Sequence, residues 1–236
     1  MTRLLKALGI AMTAMAAFAV LASAAHAETG ELTAAEYPAI ITGEQVPGLN
    51  FDLGAGGVRT VECGISTLSS TLAGPTDPVT FKPGYANCIS EPGALPTTIR
   101  LNGCHYRVGV SKPGTTGVET ETTGRMQFSL TCPVGQQIEI HVYETPAKHA
   151  ANNPTCTYDI APQGPVAGGI YHNLMADIMA TVGANLAVFN TQGPPGTCGG
   201  NPFESIPSRL TGNYTLRGFQ ELAGGGEGAL IPIDIG

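Results

Sequence analysis

The sequence predicts an all-β protein: an antiparallel β-sandwich, either one body or two packed β units, stapled by disulfides. Three observations lead there. Short stretches with an apolar residue at every second position recur along the chain, each bounded by Gly, Pro or Asn. Only 12% of the 236 residues are charged, about half the ordinary share, so long helices and coiled coils lack the residues they need. Six cysteines are present, an even number, in a chain that opens like an exported protein.

The opening is residues 1–27. Met1-Thr2-Arg3-Leu4-Leu5-Lys6 is a short basic start, residues 7–24 are almost wholly apolar or small, and Ala25-His26-Ala27 has the small-x-small form of a signal-peptidase site. The expectation is a signal peptide cleaved after Ala27, leaving no membrane span and a secreted or cell-surface protein. The competing reading, an uncleaved anchor, needs an apolar run at the lower edge of spanning length.

The strand candidates follow in order. Ala39-Ile40-Ile41, Leu49-Asn50-Phe51-Asp52-Leu53 and residues 58–63 come first, then Val79-Thr80-Phe81, residues 98–101 and residues 106–110. The clearest pair is Met126-Gln127-Phe128-Ser129-Leu130-Thr131-Cys132 and Ile138-Glu139-Ile140-His141-Val142, joined by Pro133-Val134-Gly135-Gln136. Strict alternation in both arms predicts a half-buried hairpin. Residues 156–160 and 213–219 are later candidates. The segment 173–189 fits period two as well as a repeat of four. Gly183-Ala184-Asn185 at its middle suits a turn, so two strands are expected there rather than a helix. Residues 28–220 read as one domain, although Cys104-x-Tyr106-x-Val108 and Cys156-x-Tyr158-x-Ile160 hint at an internal duplication. Residues 221–236, with Gly224-Gly225-Gly226, read as a flexible tail whose apolar end suits an edge strand of this or another chain.

Cys63, Cys88, Cys104, Cys132, Cys156 and Cys198 predict three disulfides in an oxidising compartment. No two lie at the close spacing of a zinc knuckle. Spacing alone does not choose among the pairings, and nearest-neighbour closure is the simplest of them.

Cys63, Tyr85-x-x-Cys88, Asn102-Gly103-Cys104-x-Tyr106, Cys132-Pro133-x-Gly135-x-x-Ile138-x-Ile140 and Cys156-x-Tyr158 together resemble a group of secreted proteins of high-GC Gram-positive bacteria. The likeness covers roughly residues 37–220. What it implies is a β-rich, cysteine-linked fold; its motifs are turns and cysteines, and no catalytic residue carries over.

The chemistry-bearing residues are few. Gly64-Ile65-Ser66-Thr67-Leu68 lacks the second Gly and the helix of a serine-hydrolase elbow. His141, Glu144 and His149 fall close together and form a weak metal candidate, against which stand Pro146, which implies a loop, and the polar-face position of His141. Glu62, Glu139 and Asp159 lie on polar strand faces and are the possible members of the carboxylate pair of a glycoside hydrolase. The absence of Trp lowers a sugar-stacking reading. Gly54-Ala55-Gly56-Gly57 precedes a strand-like run and reads as a turn, and Asn213-Tyr214-Thr215 has only the form of a glycosylation site. The net charge of −7, more negative once Arg3 and Lys6 are removed, excludes nucleic acid as an expected partner.

The expectation is therefore a non-enzymatic extracellular binding or structural module with no cofactor and a surface ligand or protein as partner. Two rivals stand beside it. One is a secreted hydrolase built on the carboxylates or on the His/Glu set; the other is a subunit of a surface assembly joined by strand addition through the tail.

Overall fold

The computed structural model describes residues 29–53, 59–113, 123–198 and 205–236. The expected leader at 1–27 and the glycine string at 54–57 lie outside the described residues.

Alternation drives the strands. In β7 (Thr123–Thr131), Met126, Phe128 and Leu130 are buried while Arg125, Gln127 and Thr131 face solvent. The longest strand, β12 (Ser205–Glu221), buries Ile206, Leu210, Tyr214 and Leu216 in the same rhythm. Such strands gain by covering one face and leaving the other wet.

Five strands are long rather than short: β2 (Ala39–Leu53), β3 (Arg59–Leu72), β4 (Val79–Glu91), β11 (Ile178–Gln192) and β12. The separate candidates at 39–41 and 49–53 are one strand, because the break between them is absorbed as a register shift against β3 between Glu44 and Leu49. The two strands expected in 173–189 are corrected in the same sense. β11 runs straight through Gly183-Ala184-Asn185 and pairs with β12 without interruption from Ile178 to Phe189. Ile178, Ala180, Ala184, Leu186 and Val188 are all buried, so a continuous apolar face overrides the local turn preference. The turn comes earlier, after β10 (Gln163–Asn173), where the Leu174 N–H donates to the Asp177 carbonyl.

The short strands are β5 (Leu95–Arg100), β6 (His105–Val110), β8 (Ile138–Val142) and β9 (Cys156–Ile160). β4 pairs with β6 near its start, over Val79–Phe81, and with β5 near its end, over Cys88–Ser90. β11 divides likewise between β10 and β9. The five long strands, in the order β4-β3-β2-β12-β11, therefore make one wall. Two groups, β6-β7-β10 and β5-β8-β9, lie end to end as the opposite wall. All of these pairings are antiparallel, and they run completely round in each half, which closes the sandwich and removes most free edges. The two halves share the long wall. The matching Cys-x-Tyr-x motifs fall one in each half, at β6 and β9.

All six cysteines are bridged, as Cys63–Cys88, Cys104–Cys132 and Cys156–Cys198. Cys63 and Cys88 are direct partners across β3 and β4. Cys198 ends the one-turn helix α2 (Pro195–Cys198), so the third bridge ties that turn to β9.

The tail is not a free extension. After a turn in which Gly224, Gly225 and Gly226 all take positive φ, β13 (Glu227–Ile231) pairs with β12. β14 (Ile233–Ile235) then pairs with β1 (Leu32–Ala34). Ile231, Ile233 and Ile235 are buried, which supplies the reason: three apolar side chains at alternate positions leave water together. Among the described residues no helix is long and apolar enough to cross a membrane.

Candidate functional site

The residues with chemical potential collect on the outward face of β5, β8 and β9. Register places Arg100 of β5 opposite Glu139 of β8, and Glu139 opposite Asp159 of β9. The next row is Thr98, His141 and Thr157. Directly opposed residues share a sheet face with Cβ atoms about 5 Å apart, so the two carboxyls are immediate neighbours.

Two like charges in that position are destabilising unless something offsets them. Burial, first, pushes the pKa of the Asp159 carboxyl above that of an ordinary Asp, and the neighbouring Glu139 adds to the rise. Hydrogen bonds from Thr191 and Gln137 and the nearness of His141 pull the other way. The His141 imidazole lies 3.3 Å from the Glu139 carboxylate through Nε2 and 3.5 Å from the Tyr143 hydroxyl through Nδ1. Burial lowers its basicity, and Arg100 lowers it further; Glu139 and Asp159 oppose both. The polar-face position expected for His141 is correct, but exposure is not. It is only 8% exposed, and Tyr143, at the start of the segment after β8, meets it edge-on with ring centroids 6.4 Å apart.

That segment begins with a helical turn, α1 (Pro146–Ala150), where a loop is expected. Proline at the first position of a turn has no lost hydrogen bond, and Thr145 caps it by accepting from the Lys148 N–H. The Tyr143 hydroxyl donates to Asn152 Oδ1 at 3.0 Å, and Arg100 Nη2 donates to the same oxygen at 2.7 Å. His149 stacks at a tilt on Tyr143 with ring centroids 4.7 Å apart, and its Nε2 meets Thr98 Oγ1 at 3.1 Å. A connected path therefore runs from Arg100 through Asn152, Tyr143 and His141 to Glu139.

The candidate metal set is not assembled. Glu144 is exposed and paired with Lys148, which holds its carboxyl below the usual range, while His141 and His149 each meet the Tyr143 ring. No group of metal-ligating side chains forms among the described residues. Glu62 is exposed on β3, with β4 and β5 between it and β8, and so is not part of the pair. Glu139 and Asp159 are brought together. Sequence reasoning missed Arg100, Tyr143 and Asn152. Arg100 sits at a polar position of the 98–101 run, but nothing local says that Glu139 will face it; Asn152 lies just past α1, outside any periodic run; and Tyr143 follows a strand whose alternation ends just before it.

Chemically, a carboxyl that holds its proton unusually well beside a second carboxylate and a largely neutral imidazole is able to keep and pass a proton. The described cavities lie elsewhere. The largest, about 930 Å³, opens between Lys112, Leu174, Met175 and Ile235. A smaller one of about 260 Å³ lies on the outer face of β2, β3 and β12 among Thr42, Glu44, Thr67 and Arg217. In comparison with known proteins, the chain matches no family model, no curated protein and no solved structure.

Proposed function

We propose that this protein is an exported β module that acts outside the cell or at its surface by binding or by structure rather than by catalysis. The observation that carries the reading is the state of the cysteines: all six are bridged, and each bridge pins a strand of the closed sandwich. Such cross-links persist in oxidising compartments, and the leader-like residues 1–27 agree with that destination. The resemblance to secreted proteins of high-GC Gram-positive bacteria points the same way.

The test has two steps. Protein recovered from culture medium or cell wall is sequenced from its N-terminus and weighed without reduction; the expected result is a chain beginning at Glu28 and lighter by six hydrogens. Reduced protein retained in the cytoplasm overturns the reading. A glycan and cell-wall binding array then separates an adhesive role, seen as saturable retention, from a purely structural one.

One observation favours the hydrolase reading as second choice, namely the direct opposition of Glu139 and Asp159 with His141 beside them. Turnover of glycoside or ester substrates that vanishes in both Glu139→Gln and Asp159→Asn would establish it, and no turnover with either wild type or variants disposes of it.

A further inference from the structure

Arg59 opens β3 with its side chain turned inward beside Val61 and Cys63, and it is 7% exposed. A guanidinium does not shed its proton, so burial there keeps a full positive charge out of water. Buried charges are normally matched by an opposite charge. Arg59 belongs to none of the ion pairs formed among the described residues.

Its partners are neutral. Nε donates to the Thr197 carbonyl of α2 at 2.8 Å, and Nη1 reaches Ser90 Oγ only at 3.5 Å. Ser90 is fully buried on β4. Across the interior, Tyr158 of β9 and Asn190 of β11 are direct partners and are also fully buried. The Tyr158 hydroxyl donates to the Cys198 carbonyl at 2.7 Å, beside the carbonyl that Arg59 takes. Burial pushes the Tyr158 hydroxyl up to about 12, so it remains a neutral donor and supplies no counter-charge. With Nε committed to α2, the edge formed by Nη1 and Nη2 has no acceptor closer than Ser90 among the described residues.

We propose that this end of the sandwich binds a small planar carboxylate anion, held end-on by the Nη1 and Nη2 edge of Arg59 with Ser90 beside it. Two parallel N–H donors match the two oxygens of a carboxylate, a geometry that a lysine ammonium or a spherical anion does not reproduce. The site is separate from the Glu139 and Asp159 face, which is on the outside of the sheet, and does not depend on the function proposed above.

The experiment uses the disulfide-intact protein at fixed pH and ionic strength, with formate and chloride as probes. Formate is expected to raise the unfolding temperature saturably, whereas chloride at the same concentration gives no saturable rise. In Arg59→Lys, which retains the charge and loses the fork, formate affinity is expected to fall by about tenfold or more. Equal stabilisation by the two anions, or unchanged formate affinity in the variant, overturns the proposal. Should Arg59→Lys not fold, the wild-type arginine side-chain N–H resonances are followed during the titration. A saturable shift of the Arg59 signals with formate but not with chloride supports the site, and its absence overturns it.

Discussion

The carboxamide of Asn173 pairs with the backbone of Ile235 in both directions: its Nδ2 donates to the Ile235 carbonyl at 2.9 Å, and the Ile235 N–H donates to its Oδ1 at 3.2 Å. One side chain thus takes the place of a neighbouring strand for β14 and joins the end of β10 to the tail. Asn173→Ala leaves both backbone groups of a buried residue without that partner. The expected loss is about 1–3 kcal/mol by denaturant unfolding, with faster hydrogen exchange at the Ile235 amide than elsewhere in β14.

Removing residues 227–236 is a harsher version of the same test. Ile231, Ile233 and Ile235 are buried within this chain, so truncation is expected to destabilise the single molecule, by roughly 1.5–3 kcal/mol for each buried side chain at most. The mass from light scattering stays that of one chain. A drop from a larger particle to a monomer on truncation would instead restore the assembly reading.

Gly124 of β7 sits directly opposite Tyr171 of β10, and a Cβ built on it would come within 2.6 Å of three atoms of the phenol. The tyrosine ring covers the glycine while its hydroxyl donates to the Ser111 carbonyl. Gly124→Ala therefore forces a fully buried ring to move and is expected to cost about 1–3 kcal/mol. Combining it with Tyr171→Ala, which vacates the space, should give a loss smaller than the sum of the two, measured as a double-mutant cycle.

The Glu139, Asp159 and His141 group predicts opposite pH responses. Asp159 has its pKa raised by burial, so its contribution to stability is present below about 3.8 and is lost as pH rises through the folded value. His141 is lowered, again chiefly by burial, so its contribution is present above about 6.5 and is lost as pH falls through the folded value. Asp159→Asn is expected to gain stability on wild type as pH rises from 3 to 7. Glu139→Gln removes a charge that raises both groups, and side-chain NMR titration should find both Asp159 and His141 shifted downward. A shift of either one upward contradicts the geometry.

Cys63 and Cys88 cross-link adjacent strands of the long wall. Replacing both with Ala is expected to lower stability by about 2–4 kcal/mol in chemical denaturation, while strand content by circular dichroism at low denaturant remains that of wild type.

The strand faces were readable where alternation is unbroken, as in Met126 to Thr131 and Ile138 to Val142. Strand length was not. Gly183 looks like a turn because its backbone is free to make one, and only the twelve-residue pairing of β11 with β12 denies it that choice. The same limit governs the candidate site. Glu139 and Asp159 are individually visible as polar positions, but their opposition depends on the register of β8 against β9, which no local pattern records. The contact of His141 with Tyr143 lies beyond the end of the β8 alternation, so no local pattern records it either.

Composition, periodicity and cysteine parity determine a disulfide-linked β protein, because each follows from what single residues and near neighbours prefer. Which strands merge, how two short groups close against one long wall and whether the tail is bound depend on contacts between residues far apart in the chain. So do the neutral partners that the described residues give the Arg59 guanidinium: Ser90 of β4 and the Thr197 carbonyl of α2 meet it, and nothing near Arg59 in sequence announces them.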